Sequence, residues 1–187
     1  MPKYINDNKS EELTSRFYGK VEIDQAYSFL QFSKQGKVQK LLHQLKYGGK
    51  PELGEVIGNR LGNELKELQT DKFDVIIPVP LHKKKLRRRG YNQSEVFAKG
   101  LSQALGVPLK TDILYRVKMS HTQTHKSRVE RWQNISDAFE LTKPDSLADK
   151  HVLLVDDVIT TGATLEACAK EIVAYANKVS IATIAIA

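Results

Sequence analysis

An α/β fold with a parallel, twisted sheet and helices on both faces is predicted from three observations. Two apolar runs, 73–80 and 151–155, each lead through a loop into a segment with helical periodicity. A third apolar run occupies 179–187, and a strand–helix–strand unit of that length implies a parallel crossover. The 187 residues are 41% hydrophobic and 27% charged, which excludes a disordered chain and leaves ample material for a core.

The elements follow in order. The first 20 or so residues are polar and weakly patterned and read as a loose arm. Val38, Leu41, Leu42 and Leu45 recur at helical spacing, and Gly48-Gly49 supplies a stop. A second helix starts with Pro51 in its first turn and carries Leu53, Ile57, Leu61 and Leu65 at four-residue steps. Residues 1–70 are therefore expected to form an arm and a small helical hood, and 71–187 the α/β core.

Phe73 to Pro80 is β-branched and closed by prolines, which reads as a buried strand ending in a loop. A helix fits Ser94 to Leu105, ended by Gly106 and Pro108. Segment 115–135 has no clean period, and a polar stretch that long is expected to be a functional loop. His151 to Val155 is a strand, 156–162 a turn, and Leu165, Cys168, Ala169, Ile172 and Val173 line the next helix. In such sheets ligands sit beyond the carboxyl ends of the strands. Loops 81–93 and 156–164 both leave carboxyl ends and are expected to face one crevice.

Composition excludes several function classes. Lys and Arg number 29 against 22 Asp and Glu, a net +7, but 83–89 alone holds six cations and no anion. The charge is local, unlike the spread charge of wholly basic nucleic-acid binders. A single cysteine, Cys168, excludes a disulfide framework and a cysteine-built zinc site, and reads as a buried small hydrophobe. No apolar run reaches the roughly 18 residues that span a bilayer. The polar first residues lack the apolar stretch of a secretory signal. A cytoplasmic setting without membrane insertion is expected.

The chemistry concentrates in 152–164. Asp156 and Asp157 close the strand and, when ionised, can accept from both hydroxyls of a vicinal diol. Thr160, Thr161 and Thr164 supply hydroxyl donors, Gly162 permits close backbone approach, and a helix N-terminus at Ala163 favours a phosphate. A ribose 5-phosphate displays both a diol and a phosphate. Asp and Thr at a helix start are also ordinary caps. Two acids and three threonines in register after an apolar strand exceed what a cap needs. The segment has no Gly-Lys-Ser/Thr and is not a P-loop.

Val152 to Thr164 (VLLVDDVITTGAT) resembles the phosphoribosyl pyrophosphate (PRPP) signature of type I phosphoribosyltransferases at each position. Pro78-Val79-Pro80-Leu81-His82, then Arg89-Gly90-Tyr91-Asn92-Gln93, resemble the ComF/GntX branch of that superfamily. So do Leu45-Lys46-Tyr47-Gly48-Gly49 and the pattern Leu114, Arg116, Gln123, Arg131, Asn134, Ala138-Phe139. The resemblance covers about residue 26 to 187. ComF-like proteins commonly begin with a four-cysteine zinc ribbon, which this sequence lacks. Lys85 replaces a usual Arg, which weakens a bidentate phosphate contact, and Lys126 replaces a usual leucine.

The resemblance implies roles. Asp156 and Asp157 bind ribose and orient hydrated Mg2+, the expected cofactor, with no other protein ligand to the metal. Thr160, Thr161, Gly162, Ala163 and Thr164 hold the 5′-phosphate. Leu81, His82, Lys83 and Lys84 hold pyrophosphate, and Leu81–His82 is a candidate cis peptide, a bond costing about 3 kcal/mol. Lys118, Arg128 and Arg131 reach pyrophosphate from a closing loop. No catalytic residue or general base is identified.

Two function classes stay open. The first is a Mg2+-dependent phosphoribosyltransferase in which a nitrogenous base or amine displaces pyrophosphate from PRPP. The second is a non-catalytic PRPP- or nucleotide-binding module in DNA uptake or regulation. The last strand ends the sequence, so a hood over the base is expected from the segment before Phe73. Arg87 and Arg88 are left for solvent, nucleic acid or a protein partner, and a homodimer stays open. His43, His82, His121, His125 and His151 show no metal-ligand spacing. Tyr91 and Trp132 read as packing residues.

Overall fold

The computed structural model describes residues 7–68, 72–117 and 138–187. Its main sheet has four strands, β1 (Ala26–Gln31), β2 (Val75–Pro78), β5 (His151–Ile159) and β6 (Lys178–Ile186), in the order β1-β6-β5-β2. All three pairings are parallel. A separate antiparallel pair joins β3 (Leu114–Arg116) to β4 (Phe139–Leu141). The helices are α1 (Asp7–Thr14), α2 (Lys37–Tyr47), α3 (Glu52–Glu67), α4 (Lys83–Arg89), α5 (Gln93–Leu105) and α6 (Ala163–Val173).

Helices cover both faces, as the apolar strands require. Val152 and Leu154 of β5 pack in one core with Val75, Ile77, Leu165, Cys168 and Ile172. Leu153 and Val155 point into the other with Ile76, Leu42, Leu61, Phe97 and Leu101. Alternation within a continuous apolar run is what a strand buried on both sides produces. Cys168 is fully buried in the first core, as its place on the helix suggested.

The N-terminal stretch departs from the expected loose arm. Leu13 and Phe17 are buried, because α1 is sewn to the edge strand by its hydroxyls. Ser10 Oγ donates to the Ala26 carbonyl at 3.0 Å, and the Ala26 N–H donates to Thr14 Oγ1 at 2.8 Å. Ala26–Gln31 is itself the strand that pairs with β6. Residues 115 and 116, expected in a loop, lie in β3.

α3 and α5 approach backbone to backbone. A Cβ added at Gly58 would sit 2.1 Å from the Phe97 carbonyl oxygen, and one at Gly100 would sit 2.0 Å from that of Glu55. Backbone cannot rotate aside as a side chain can, so the helices would have to separate. Gly58→Ala and Gly100→Ala are each expected to lower unfolding free energy by about 3 kcal/mol, measurable by urea titration.

Candidate functional site

The site forms where β2 stops. Pro78 pairs with Val155, the Val79 N–H donates to the Val155 carbonyl at 2.8 Å, and the chain then turns away. β5 continues beside β6 as far as Ile159, so Asp156 and Asp157 stand at an edge that β2 has vacated. Both are half-buried.

The chain returns to this edge at the start of α5. Asn92 caps the helix: its carboxamide oxygen accepts from the Ser94 N–H at 3.2 Å, while Nδ2 donates to the Val79 carbonyl at 2.9 Å. Ser94, thus fixed, donates from Oγ to Asp156 Oδ1 at 2.8 Å. The Asp157 N–H donates to the same oxygen at 2.8 Å. Lys46, at the end of α2, pairs with Asp157 Oδ2 at 2.9 Å. Ser94, one residue beyond loop 81–93, thus brings the start of α5 to the first residue of 156–164.

Burial pushes the Asp156 carboxyl up to about 7, and the neighbouring Asp157 charge adds to the rise. The Asp157 N–H, Ser94 and Lys46 pull the other way without cancelling it. Two carboxylates held side by side with one monovalent partner are a site short of positive charge.

After the pair, Thr160 and Thr161 are exposed and Thr164 half-buried around the start of α6. Gly162 has φ +80°, a conformation that strains any side chain, and the Phe17 ring lies at ordinary contact distance, 3.4 Å from where a Cβ would sit. The Ala163 N–H donates to Thr161 Oγ1 at 3.4 Å, and the Arg16 guanidinium donates to the Thr160 carbonyl at 3.4 Å.

The basic segment is partly different from expectation. Leu81 and His82 form the loop, but Lys83 and Lys84 lie in the first turn of α4. His82 caps that helix, its Nδ1 accepting from the Lys84 N–H at 3.1 Å. No cis peptide bond occurs among the described residues, so Leu81–His82 is trans; the capped helix turns the chain without a strained bond. Burial, then the charges of Arg116 and Lys84, lower the His82 pKa. Residues 83–88 are exposed, whereas Arg89 is half-buried and stacks over the Tyr47 ring at 5.4 Å. Lys118, Arg128 and Arg131, with Lys126 and Trp132, lie outside the described residues.

Three site residues were not singled out from sequence. Ser94 was read only as a helix start, and Lys46 only as part of a family stretch. Arg116 has a buried Nε with no hydrogen-bond partner among the described residues, and its guanidinium lies 5.2 Å over the Phe139 ring.

The comparisons with known proteins agree with this geometry. A phosphoribosyl transferase domain model matches residues 91–187, just over half of the chain. Competence protein F of Haemophilus influenzae is 43% identical over 98 residues, 52% of this chain and 43% of that protein. DNA utilization protein YhgH of Salmonella typhimurium is 33% identical over 129 residues, 67% of this chain and 56% of that protein. Competence protein ComFC of Bacillus subtilis is 28% identical over 134 residues, 71% and 52% of the two chains. The chain spans about half the length of these relatives. A B. subtilis glutamine PRPP amidotransferase, solved with ADP and GMP, shares the fold at a TM-score of 0.50. It is 21% identical and covers 75% of this chain and 30% of that one.

Sheet, crevice and signature thus define a phosphoribosyltransferase-type domain. The chain belongs to the phosphoribosyltransferase family, in its ComF-like branch.

A carboxyl that takes its proton near 7 when folded, against an ordinary 3.8, favours the folded chain most at low pH. That advantage is lost as pH rises through about 7. Asp156→Asn is therefore expected to gain stability relative to the parent as pH rises from 5 to 8, by on the order of 1 kcal/mol. Urea unfolding of both proteins across that range checks it; a difference flat with pH would contradict the assignment.

Proposed function

We propose that the crevice binds PRPP with Mg2+ and supports displacement of its pyrophosphate by a nitrogenous base or amine. The observation that carries the reading is the succession at the open end of β5. The acidic pair, tied to α5 through Ser94, runs directly into the threonine–glycine turn before α6. The donor groups suit this ligand. Asp156 and Asp157 accept from the two ribose hydroxyls. Thr160, Thr161, Thr164 and the N–H groups of Gly162 and Ala163 receive the 5′-phosphate. Leu81, His82, Lys83 and Lys84 face the pyrophosphate side, and Arg116 adds a guanidinium near His82.

Mg2+ fits the residues present. No cluster of three or more His, Cys, Asp or Glu that could cage a metal occurs among the described residues. A hard dication that uses one or two carboxylates plus substrate oxygens suits the lone acidic pair. Bound there, Mg2+ supplies charge neutralisation for the leaving pyrophosphate. The bond from C1 to the pyrophosphate oxygen breaks, its electron pair leaving with pyrophosphate, and a bond from the acceptor nitrogen to C1 forms. Asp156 and Asp157 hold the ribose while positive charge grows at C1, and the acceptor's proton passes to solvent or buffer.

A second reading is a ComF-like module that binds nucleotide without turnover and handles DNA. It is favoured by the exposed cations at 83–85, 87 and 88 of α4, and by the competence and DNA-utilization names of the relatives. No helix among the described residues is long and apolar enough to cross a membrane.

Saturating PRPP with Mg2+ is expected to raise the melting temperature by several degrees, as ligand binding to the folded state must. The double variant Asp156→Asn with Asp157→Asn should lose that shift. An unmoved parent melting temperature would overturn the crevice reading. Incubation with PRPP and a panel of bases then separates the two classes: pyrophosphate release supports transfer, and binding without release supports the module. In the DNA reading, affinity should fall steeply with salt. Neutralising Arg87 and Arg88 should reduce the slope of log affinity on log salt by about 1 to 2.

A further inference from the structure

A cleft beside the acidic pair is built separately from the PRPP signature. It encloses about 540 Å³ and is lined by Lys46, Tyr47, Gly49, Arg88, Arg89 and Tyr91. That volume lies within the range of small-ligand sites. Its two walls are the end of α2 and the turn between α4 and α5. The Tyr91 hydroxyl donates to the Leu45 carbonyl and ties them together. Arg89 is fixed as well, since it donates to Gln93 Oε1 and stacks on Tyr47.

The lining holds three cations and no carboxylate. Asp157, already paired with Lys46, and Glu52, close enough to raise the Tyr91 pKa, are acids beside it among the described residues. Helices α2 and α4 both end here, and their terminal carbonyls carry only partial negative charge. Three full positive charges outweigh them. Tyrosine rings and guanidinium planes add flat contact surface. The chemistry calls for a small planar anion.

Lys46 belongs to both places. Its ammonium neutralises Asp157 across 2.9 Å while lining the cleft. A dication arriving with PRPP competes for the same carboxylate and releases Lys46 toward the cleft. We propose that this cleft binds the second ligand of the site, a planar molecule bearing a carboxylate or phosphate. Filling of the crevice strengthens its binding by freeing Lys46. The coupling rests on the crevice reading above; the anion preference of the cleft does not.

Calorimetric titration of the full chain tests both, using orotate against uracil and AMP against adenosine, each with and without PRPP and Mg2+. At least one anion is expected to bind about tenfold or more tightly than its neutral counterpart. Arg88→Ala, at an exposed position, should erase most of that preference. PRPP with Mg2+ should tighten the anion further in the parent and not in Lys46→Gln. Anions that bind no better than their neutral counterparts overturn the proposal, even if PRPP binds normally. An anion preference that survives Arg88→Ala unchanged removes the ligand from this cleft. If the anions are preferred while PRPP fails to bind, the crevice reading falls and the cleft stands without its coupling.

Discussion

The end of β2 governs the site. Pro78 has no N–H to donate, and after its pairing with Val155 the strand yields to a turn. β5, paired on its other side with β6 through Ile159, keeps its direction for four more residues. Those residues include both carboxylates. A longer β2 would have covered that edge with a neighbouring strand. A shorter β5 would have left the acids in a loose loop. The unequal lengths of two neighbouring strands thus make a rigid shelf with an open side.

Rigidity then depends on how closely the helices return to that shelf. α5 begins at Asn92, which holds the Val79 carbonyl and so measures its position from the end of β2. Its far face is set by α3, where glycines let the two backbones meet. Ser94 lies within hydrogen-bond reach of Asp156 because α5 is fixed at both its start and its flank. α2 is held in turn by Tyr91, and Lys46 follows from that. Packing far from the acids decides which groups touch them.

Much of this was legible in the sequence, for physical reasons. Val152–Val155 and Val75–Ile77 are short, β-branched apolar runs, which suit strands buried on both faces, and the strand–helix–strand spacing then made the sheet parallel. The acidic pair and the threonine–glycine turn are local in the chain, so their neighbourhood needed no fold. Ser94 and Lys46 were not legible as site residues. Each reaches the pair from a distant segment, and each is an ordinary residue for its helix position. The packed N-terminal segment was missed because its buried apolar residues, Leu13 in α1 and Phe17 just after it, are too few for a period. Its anchoring comes from Ser10 and Thr14, whose hydroxyls read as solvent-facing polarity. The Gly54, Gly58, Gly62 spacing was not singled out, although it lines the close approach of α3 to α5.

Charge looks different once located. A net +7 on the chain does not relieve the acidic pair, because the six cations of 83–89 lie on an exposed helix, and among them only Arg89 is partly buried. Surface charges in water are screened within about 8 Å at physiological salt. Burial and Asp157 push Asp156 up to about 7, and Lys46 is the cation among the described residues that eases it. The cations therefore contribute little to holding the apo site together. Their field reaches outward into solvent, whereas the acidic pair repels anions at its own end of the sheet. If the crevice takes PRPP as proposed, that contrast would turn its diol toward the acids and its phosphates toward the cations and the helix start.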